Sequence, residues 1–356
     1  MHIKPLIFGI TGKSLTENEI SFLKLYNPLG IILFSRNIDN PKQVQDLTVN
    51  IREILGRNDA PILLDQEGGK VARLKEPHWI KPPAAAIFGK MAEYNLEDAI
   101  QAAYIHGKII GHDMAAVGIN VDCAPVLDVP VKNAHDVIGN RAFSHDKDLV
   151  LKLGQSMADG LRSSSVIPVM KHIPGHGRAL VDTHLDLPRV KTSLDDLKNS
   201  DFYPFTNAKN IHWAMTAHVV YESIDPENPA TTSQKVVKLL RDDIGFKGLL
   251  ISDCITMKAL NGTMTEKARK TFDAGVDLVI HSHGSLLEMA SIANVAPNMN
   301  DAQLAFLQAS YDSFIIDQKV QARSEMQGIL MNYIDKYNLS EVAGDIFDPT
   351  EQLHFK

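Results

Sequence analysis

The chain has 356 residues, 44% of them hydrophobic and 22% charged, which is enough apolar material for one large globular domain or two small ones. Its formal net charge of -7 at pH 7 argues against nucleic acid as a main partner, because phosphate backbones are bound by basic surfaces. The 2 cysteines do not form a CxxC pair and no apolar run approaches the roughly 18 residues of a membrane span, so we expect reduced thiols and a cytoplasmic location.

Eight short apolar runs recur along the chain, separated by polar and turn-forming residues. Runs of this length, rich in aliphatic residues, are typical of strands buried in a sheet. The predicted strands span residues 5–10, 29–34, 60–64, 119–127, 165–170, 212–217, 248–252 and 276–280.

Helical patterns lie between these runs. Thr16 and Glu19 have the spacing of a capping box, and the segment 40–57 begins with an Asn-Pro pair before apolar residues at helical spacing. Eight strands that alternate with helices predict an α/β protein with a single (β/α)8 barrel, here residues 1–335, followed by a C-terminal extension, residues 336–356. A doubly wound open sheet is the structural alternative.

Ionisable residues follow six of the eight predicted strands. They are Asp65, Asp128, Lys171 with His172, His218, Asp253 and His281. Strand ends are often polar simply because solvent begins there. In a (β/α)8 barrel, however, the carboxyl ends of the strands surround the active site, so this mixture of carboxylates, imidazoles and an ammonium favours a functional pocket.

The segment KHIPGHGRALVDTHLDLP, residues 171–188, follows the fifth predicted strand. Its glycines and prolines predict a sharply turned or mobile loop over the pocket. Asp182 and His184 are two residues apart, so in extended backbone both side chains point to one side and the carboxylate can accept a hydrogen bond from the imidazole. Such a partner raises the imidazole pKa, which suits a general acid near neutral pH, although both residues could also be solvated.

Five segments, in chain order, resemble glycoside hydrolase family 3. They are DQEGGKVARL (65–74), KHIPGHG (171–177), DTHLDLP (182–188), MTAHVVY (215–221) and SDCITM (252–257). Within the family they are most similar to the bacterial single-domain β-N-acetylglucosaminidases of peptidoglycan recycling, the NagZ type. The resemblance implies a retaining glycosidase that removes terminal N-acetylglucosamine from muropeptides in which this sugar is joined to anhydro-N-acetylmuramic acid.

The resemblance also implies a role for each site residue. Asp253 matches the nucleophile that forms a covalent glycosyl-enzyme, and His184, oriented by Asp182, matches the acid/base. The residues implied to hold the sugar are Asp65, Arg73, Arg141, Lys171 and His172. We expect a small carbohydrate or muropeptide as the ligand, no metal or other cofactor, no nucleic-acid or membrane partner, and a monomer.

Three positions depart from the family pattern, one of them being Lys70, which stands where the family often has arginine. Cys254 stands where the family usually has a second aspartate after the nucleophile, and Asn140 stands where an aspartate often precedes the arginine. Neighbouring residues of a strand point to opposite faces, so Cys254 need not touch the substrate. The departures concern the local support of the nucleophile, not its identity.

Three other functions remain open. A metal-dependent barrel hydrolase could draw its ligands from the histidines and Asp253, although the first strand lacks a following H-x-H pattern. A Cys254 nucleophile could pair with His184, although a lone cysteine is more often a small buried residue. A catalytically silent sugar-binding barrel is the third, although both Asp253 and His184 are present.

Overall fold

The computed structural model describes residues 2–131, 137–179, 187–316 and 321–339. In these ranges the strands are β1 (Lys4–Gly9), β2 (Pro28–Ile32), β3 (Ile62–Leu64), β4 (Val121–Asp122), β5 (Ile167–Ile173), β6 (Arg189–Val190), β7 (Trp213–Thr216), β8 (Val220–Tyr221), β9 (Leu249–Ser252) and β10 (Val279–His281). The α-helices are α1 (Glu17–Tyr26), α2 (Pro41–Leu55), α3 (Ala86–Tyr94), α4 (Leu96–Ala115), α5 (Lys147–Ser163), α6 (Leu194–Asn199), α7 (Tyr203–Asn207), α8 (Gln234–Asp242), α9 (Met264–Asp273), α10 (Leu286–Ala293), α11 (Asp301–Asp312) and α12 (Arg323–Lys336).

Eight of the strands form one parallel sheet in the order β10-β1-β2-β3-β4-β5-β7-β9. The two ends of this order meet, because Ser252 N of β9 donates to Leu278 O at 2.8 Å and a parallel bridge joins Ile251 to Leu278. The sheet therefore closes into a barrel, and the predicted (β/α)8 fold is confirmed. The open-sheet alternative is wrong, because an open sheet leaves two free edges.

The helices predicted from capping patterns begin where those patterns place them. Thr16 and Glu19 make both bonds of a capping box at the start of α1. The Asn40 side chain accepts a hydrogen bond from Gln43 N at 3.0 Å, and Pro41 is the first residue of α2. Gly56 then ends α2 in the left-handed conformation, with φ 63.

The strands bury side chains on both faces. Leu6 and Phe8 of β1 pack outward against the helices, whereas Ile7 packs with the apolar residues inside the barrel. At the amino ends of the strands, Trp213 Nε1 donates to Ser310 Oγ of α11 at 3.0 Å. Helix α11 therefore covers this end, which leaves the carboxyl ends for a pocket.

Most strand boundaries differ from the prediction by one to three residues, and three differences have larger consequences. The fourth strand is only two residues long, because Pro125 cannot donate to the ladder and interrupts the apolar run. The fifth continues to Ile173, so Lys171 and His172 lie within β5 and not after it. The parallel pair β6 and β8 lies outside the barrel and was not predicted, since two residues carry no periodic signal.

Helix α12 packs against α4 through buried Met326, Leu330 and Ile334. The predicted boundary between residues 335 and 336 stays a prediction, since residues 340–356 lie outside the described ranges. No helix in the described ranges has the length and apolar character needed to span a bilayer.

Candidate active site

A pocket lies at the carboxyl ends of the barrel strands, opposite α11. Its walls are formed by Ile32, Phe34, Asp65, Val137, Ile138, Arg141, Lys171, His172, His176, Met215, Asp253, Cys254, Ile280 and Ser282. Five of these were predicted site residues: Asp65, Arg141, Lys171, His172 and Asp253. These five residues come from separate strands and loops, and the fold brings their side chains to one cavity.

Two buried carboxylates and three buried cations alternate in one connected group, of which Asp65, Arg141 and Lys171 line the pocket. Lys171 Nζ lies 3.0 Å from Asp65 Oδ1 and 2.5 Å from Glu67 Oε1. Arg141 binds Glu67 through two parallel hydrogen bonds, each of 2.7 Å. Arg73, which lies behind Asp65, places Nη2 3.6 Å from Asp65 Oδ2. We call these five residues the ionic network.

The members of the ionic network keep one another charged. Burial alone would raise the pKa of Glu67, but the charges of Arg141 and Lys171 outweigh burial and hold this pKa well below its ordinary value. Burial would lower the pKa of Lys171, but Asp65 and Glu67 raise it above its ordinary value. The network therefore offers charge-assisted donors and acceptors to hydroxyl and amide groups, which suits a carbohydrate.

Glu67 was not predicted as a site residue. It lies two positions after Asp65 in DQEGGKVARL, and in extended backbone residues two apart point to the same side. This spacing was the available signal. Its importance comes from Arg141, which is 74 positions away in the chain. No local pattern reports a contact of that separation.

The loop that carries Asp65 and Glu67 is closed by its own side chains. Gln66 Oε1 accepts hydrogen bonds from Arg73 N at 2.7 Å and Leu74 N at 3.0 Å, and its amide donates to Leu74 O at 2.9 Å. The turn needs glycine at position 68, where φ is +101 and a Cβ would lie 2.2 Å from Pro83 O. The loop is therefore a fixed support for the ionic network.

A bulge in β5 turns both Lys171 and His172 toward the pocket. Lys171 pairs with Met215 of β7 but Ile173 pairs with Thr216, so His172 is an extra residue in the ladder. Without the bulge, consecutive residues would face opposite sides of the sheet. The Lys171–His172 peptide bond is cis.

Asp128 holds His172 from behind. Its Oδ2 lies 2.7 Å from His172 Nδ1, and its Oδ1 accepts from the backbone N–H groups of His172 at 3.1 Å and His176 at 2.6 Å. Burial would raise the pKa of Asp128, but His172 and these bonds lower it, so the carboxylate is ionised. Asp128 therefore positions two pocket residues without lining the pocket itself.

Asp253 directly follows β9 and lines the pocket beside Cys254. Its Oδ1 accepts a hydrogen bond from Cys254 N at 2.7 Å. Strand β9 ends at Ser252, so the rule that neighbouring side chains point to opposite faces does not apply to Asp253 and Cys254. Cys254 therefore also lines the pocket. Its thiol contacts Thr256 Oγ1 at 3.0 Å and Ser282 Oγ at 2.9 Å.

Burial raises the pKa of the Cys254 thiol, which keeps it protonated near neutral pH. A protonated thiol is a poor nucleophile, so this geometry disfavours the alternative of cysteine catalysis. Asp128, Asp65 and Glu67 each contact a histidine, lysine or arginine. Asp253 lines the same pocket as Asp65, Arg141 and Lys171.

The predicted acid/base pair, Asp182 and His184, lies outside the described residues. The segment that leads to it is well anchored. Gly177 O accepts from Val131 N at 3.2 Å, and Arg178 Nε donates to Asp201 Oδ2 at 2.7 Å. The His176 ring lines the pocket, and burial lowers its pKa to about 4, so it is neutral near pH 7.

The metal-dependent alternative gains no support from the part of the chain that the structure describes. Within it, no group of three or more histidine, cysteine, aspartate or glutamate residues is arranged to hold a metal ion. Two of the histidines that this alternative needs have other partners there: His172 contacts Asp128 and His281 contacts Glu288 Oε2 at 2.8 Å.

Residues 9–310 match the glycosyl hydrolase family 3 N-terminal domain. The chain belongs to glycoside hydrolase family 3. It is therefore a glycoside hydrolase, and the resemblance seen in the sequence is confirmed.

Relatives and solved structures in family 3 align with most of the chain. A β-hexosaminidase of Nitrosomonas eutropha is 34% identical over 289 residues, which cover 79% of this chain and 81% of that protein. A β-hexosaminidase of Stenotrophomonas maltophilia is 34% identical over 303 residues, covering 84% and 89%. NagZ from Neisseria gonorrhoeae, solved in complex with N-trifluoroacetyl-D-glucosamine, superposes with a TM-score of 0.81 at 30% identity and covers 97% of this chain and 99% of its own.

Proposed function

We propose that the protein is a retaining β-N-acetylglucosaminidase that removes terminal, non-reducing N-acetylglucosamine. The observation that carries this proposal is that Asp253 lines one pocket together with His172 and with Asp65, Arg141 and Lys171 of the buried ionic network. The names of the β-hexosaminidase relatives support the activity. The N-acylated glucosamine bound by the gonococcal NagZ supports the sugar.

In the proposed first step, the Asp253 carboxylate attacks the anomeric carbon. The bond to the leaving oxygen breaks, and this oxygen takes a proton from His184. In the second step, His184 removes a proton from water, which attacks the same carbon and releases Asp253. Two inversions give retention, and no electrons are exchanged with a cofactor.

The proposed acid, His184, rests on the resemblance of DTHLDLP, residues 182–188, to glycoside hydrolase family 3. Among the described lining residues, the carboxylates are Asp65 and Asp253. The oxygens of Asp65 are engaged by Lys171 and Arg73, and Asp253 is needed as the nucleophile. A histidine with an aspartate partner, His184 with Asp182, would provide a proton at neutral pH.

The sugar would be held by the ionic network and His172. Arg141 and Lys171 line the pocket and supply donors, Asp65 supplies an acceptor, and Arg73 supports Asp65 from behind, so hydroxyl and acetamido groups can each find a complementary partner. We further propose muropeptides as the natural substrates, with turnover in the cytoplasm by a monomer. Neither nucleic acid, membrane nor cofactor takes part in this proposal.

The first test is a trapping experiment. The protein is incubated with a fluorinated N-acetylglucosaminide whose glycosyl-enzyme is long-lived, and its intact mass and peptide map are measured. We expect one sugar on Asp253, and an Asp253→Asn variant should neither be labelled nor turn over an aryl glycoside, with a loss of at least about 1,000-fold. Hydrolysis without label that a chelator abolishes would favour the metal alternative, and absence of both would favour a sugar-binding barrel.

The second test addresses the acid. We expect His184→Ala to lose activity mainly on substrates with poor leaving groups, because a good leaving group departs without a proton. Asp182→Asn should show a smaller loss and a displaced pH optimum. His112→Ala, which changes a surface histidine of α4, is the control. Equal losses of kcat/KM, which reports the first step, on dinitrophenyl and alkyl glycosides would reject His184 as the acid.

A further inference from the structure

A buried histidine next to the nucleophile has no part in the mechanism proposed so far. His218 lies two residues after β7 and is fully buried. Its Nε2 lies 3.1 Å from Cys254 O, and its Nδ1 lies 2.7 Å from Thr231 Oγ1. The side chain thus bridges from the end of β7 to the backbone that follows β9.

The hydrogen bonds of His218 define its tautomer. Burial lowers the pKa of the ring, so near neutral pH it is uncharged and carries a single N–H. Because a carbonyl oxygen can only accept, this hydrogen is on Nε2 and is donated to Cys254 O. Nδ1 then accepts from the hydroxyl of Thr231.

Thr231 is itself held in place. Its Oγ1 lies 2.9 Å from the hydroxyl of Thr216. Thr231 Oγ1 also lies 3.2 Å from Ala217 O, but its contact with Nδ1 is shorter and Nδ1 carries no hydrogen, so the Thr231 hydrogen goes to His218 and the Thr216 hydroxyl donates to Thr231. A continuous chain of donors therefore runs from Thr216 through Thr231 and His218 to Cys254 O.

The backbone of Cys254 is the link to the nucleophile. Strand β9 ends at Ser252, so Asp253 and Cys254 lie beyond its regular ladder. The Cys254 carbonyl is held by His218, and the Cys254 N–H donates to Asp253 Oδ1 at 2.7 Å. Fixing this residue fixes the oxygen of the carboxylate that it binds.

We propose that His218, with Thr231 as its partner, is a positioning residue that aims the carboxylate of Asp253 by holding the backbone of Cys254. His218 does not line the pocket formed by the described residues, so it acts through Cys254 and not on the substrate. This inference rests on the proposed role of Asp253 as nucleophile. It assigns a function to the TAH and PATT segments, residues 216–218 and 229–232.

The test compares two substitutions at position 218. His218→Leu removes both ring nitrogens at similar volume, and His218→Gln keeps an amide N–H that can reach the same carbonyl. For the leucine variant we expect kcat and the rate of trapping on Asp253 to fall roughly 100-fold, as for a misaligned reacting group, with little change in inhibition by N-acetylglucosamine. For the glutamine variant we expect at least about a tenth of the wild-type rates, because the donor is restored.

Thr231→Val and Thr231→Ser provide an independent pair if His218→Leu does not fold. The valine variant removes the hydroxyl that holds Nδ1 and should lower the trapping rate about tenfold, whereas serine should keep it. Trapping at the wild-type rate in folded His218→Leu, or in Thr231→Val, would overturn the positioning role alone. If the wild-type protein is not labelled on Asp253, the proposed mechanism and this inference both fail.

Discussion

Glu67 is the residue on which the ionic network depends, because both Arg141 and Lys171 bind its carboxylate. We expect Glu67→Gln to lower the free energy of unfolding by about 3 kcal/mol, since it leaves two buried cations short of a partner. The KM for an aryl N-acetylglucosaminide should rise more than kcat falls, because the proposed role of the network is to bind the sugar and not to react. Urea unfolding and initial-rate kinetics measure the two effects.

Glu222→Gln is the matched control, since Glu222 pairs with Arg189 at 2.9 Å on the protein surface. An exposed pair contributes about 0–1 kcal/mol, so its loss should be small. If the two variants were equally stable and Glu67→Gln bound substrate normally, the ionic network would not be the sugar site.

Single residues were predicted best where a motif or a strand end marked them. Asp65, Lys171, His172 and Asp253 follow apolar runs, and the structure brings them to one pocket. Glu67 was missed because its partner lies far away in the chain. The hydrogen bond from His218 to Cys254 joins two loops and equally leaves no trace in either local pattern.

At the scale of elements, the segment between β5 and residue 180 leads to the part of the chain that carries the proposed acid, His184. A Cβ on Gly177 would lie 2.0 Å from Val129 O, so alanine has to push this segment away from the loop after β4. We expect Gly177→Ala to lower kcat by about tenfold or more and to destabilise by about 1–3 kcal/mol. Kinetics and thermal unfolding test this.

Gly328→Ala is the control for that substitution. No atom within 4 Å would meet a Cβ at Gly328 of α12, so alanine should raise stability by up to about 1 kcal/mol through helix propensity. Wild-type activity in Gly177→Ala would show that the close approach to Val129 does not position the segment.

The barrel strands could be predicted because parallel strands buried on both faces are continuous apolar runs. The end of β5 could not be predicted in this way, because its last residues include Lys171 and His172, which are polar. Polar residues fit inside this strand because they face the pocket. The pair β6 and β8 is held by backbone bonds between distant loops, such as Glu222 N to Val190 O at 2.9 Å. The sequence thus indicated where the barrel strands lie, but not how far each one extends or which short distant segments pair.

At the scale of the whole molecule, buried neutral histidines make stability depend on pH. Burial lowers the pKa of His106 and His176 from 6.5 to about 4. Below pH 6.5 the unfolded chain therefore binds protons that the folded protein does not, and the free energy of unfolding falls as the pH falls toward 4. We expect a loss of about 2 kcal/mol for each histidine between pH 7 and pH 5.

Urea unfolding at several pH values measures this slope. His106→Gln should reduce the loss between pH 7 and pH 5 by about 2 kcal/mol, whereas His112→Gln, on the exposed surface of α4, should leave it unchanged. A slope that did not respond to His106→Gln would mean that His106 takes up protons equally in both states.

The closure of the barrel also has a consequence during synthesis on the ribosome. Strand β1 pairs with β2 on one side, but its other neighbour, β10, ends at residue 281. Until that part of the chain has emerged, the growing sheet has an exposed edge and an apolar inner face with no opposite wall. The nascent protein must therefore be kept from associating with other chains through most of its translation.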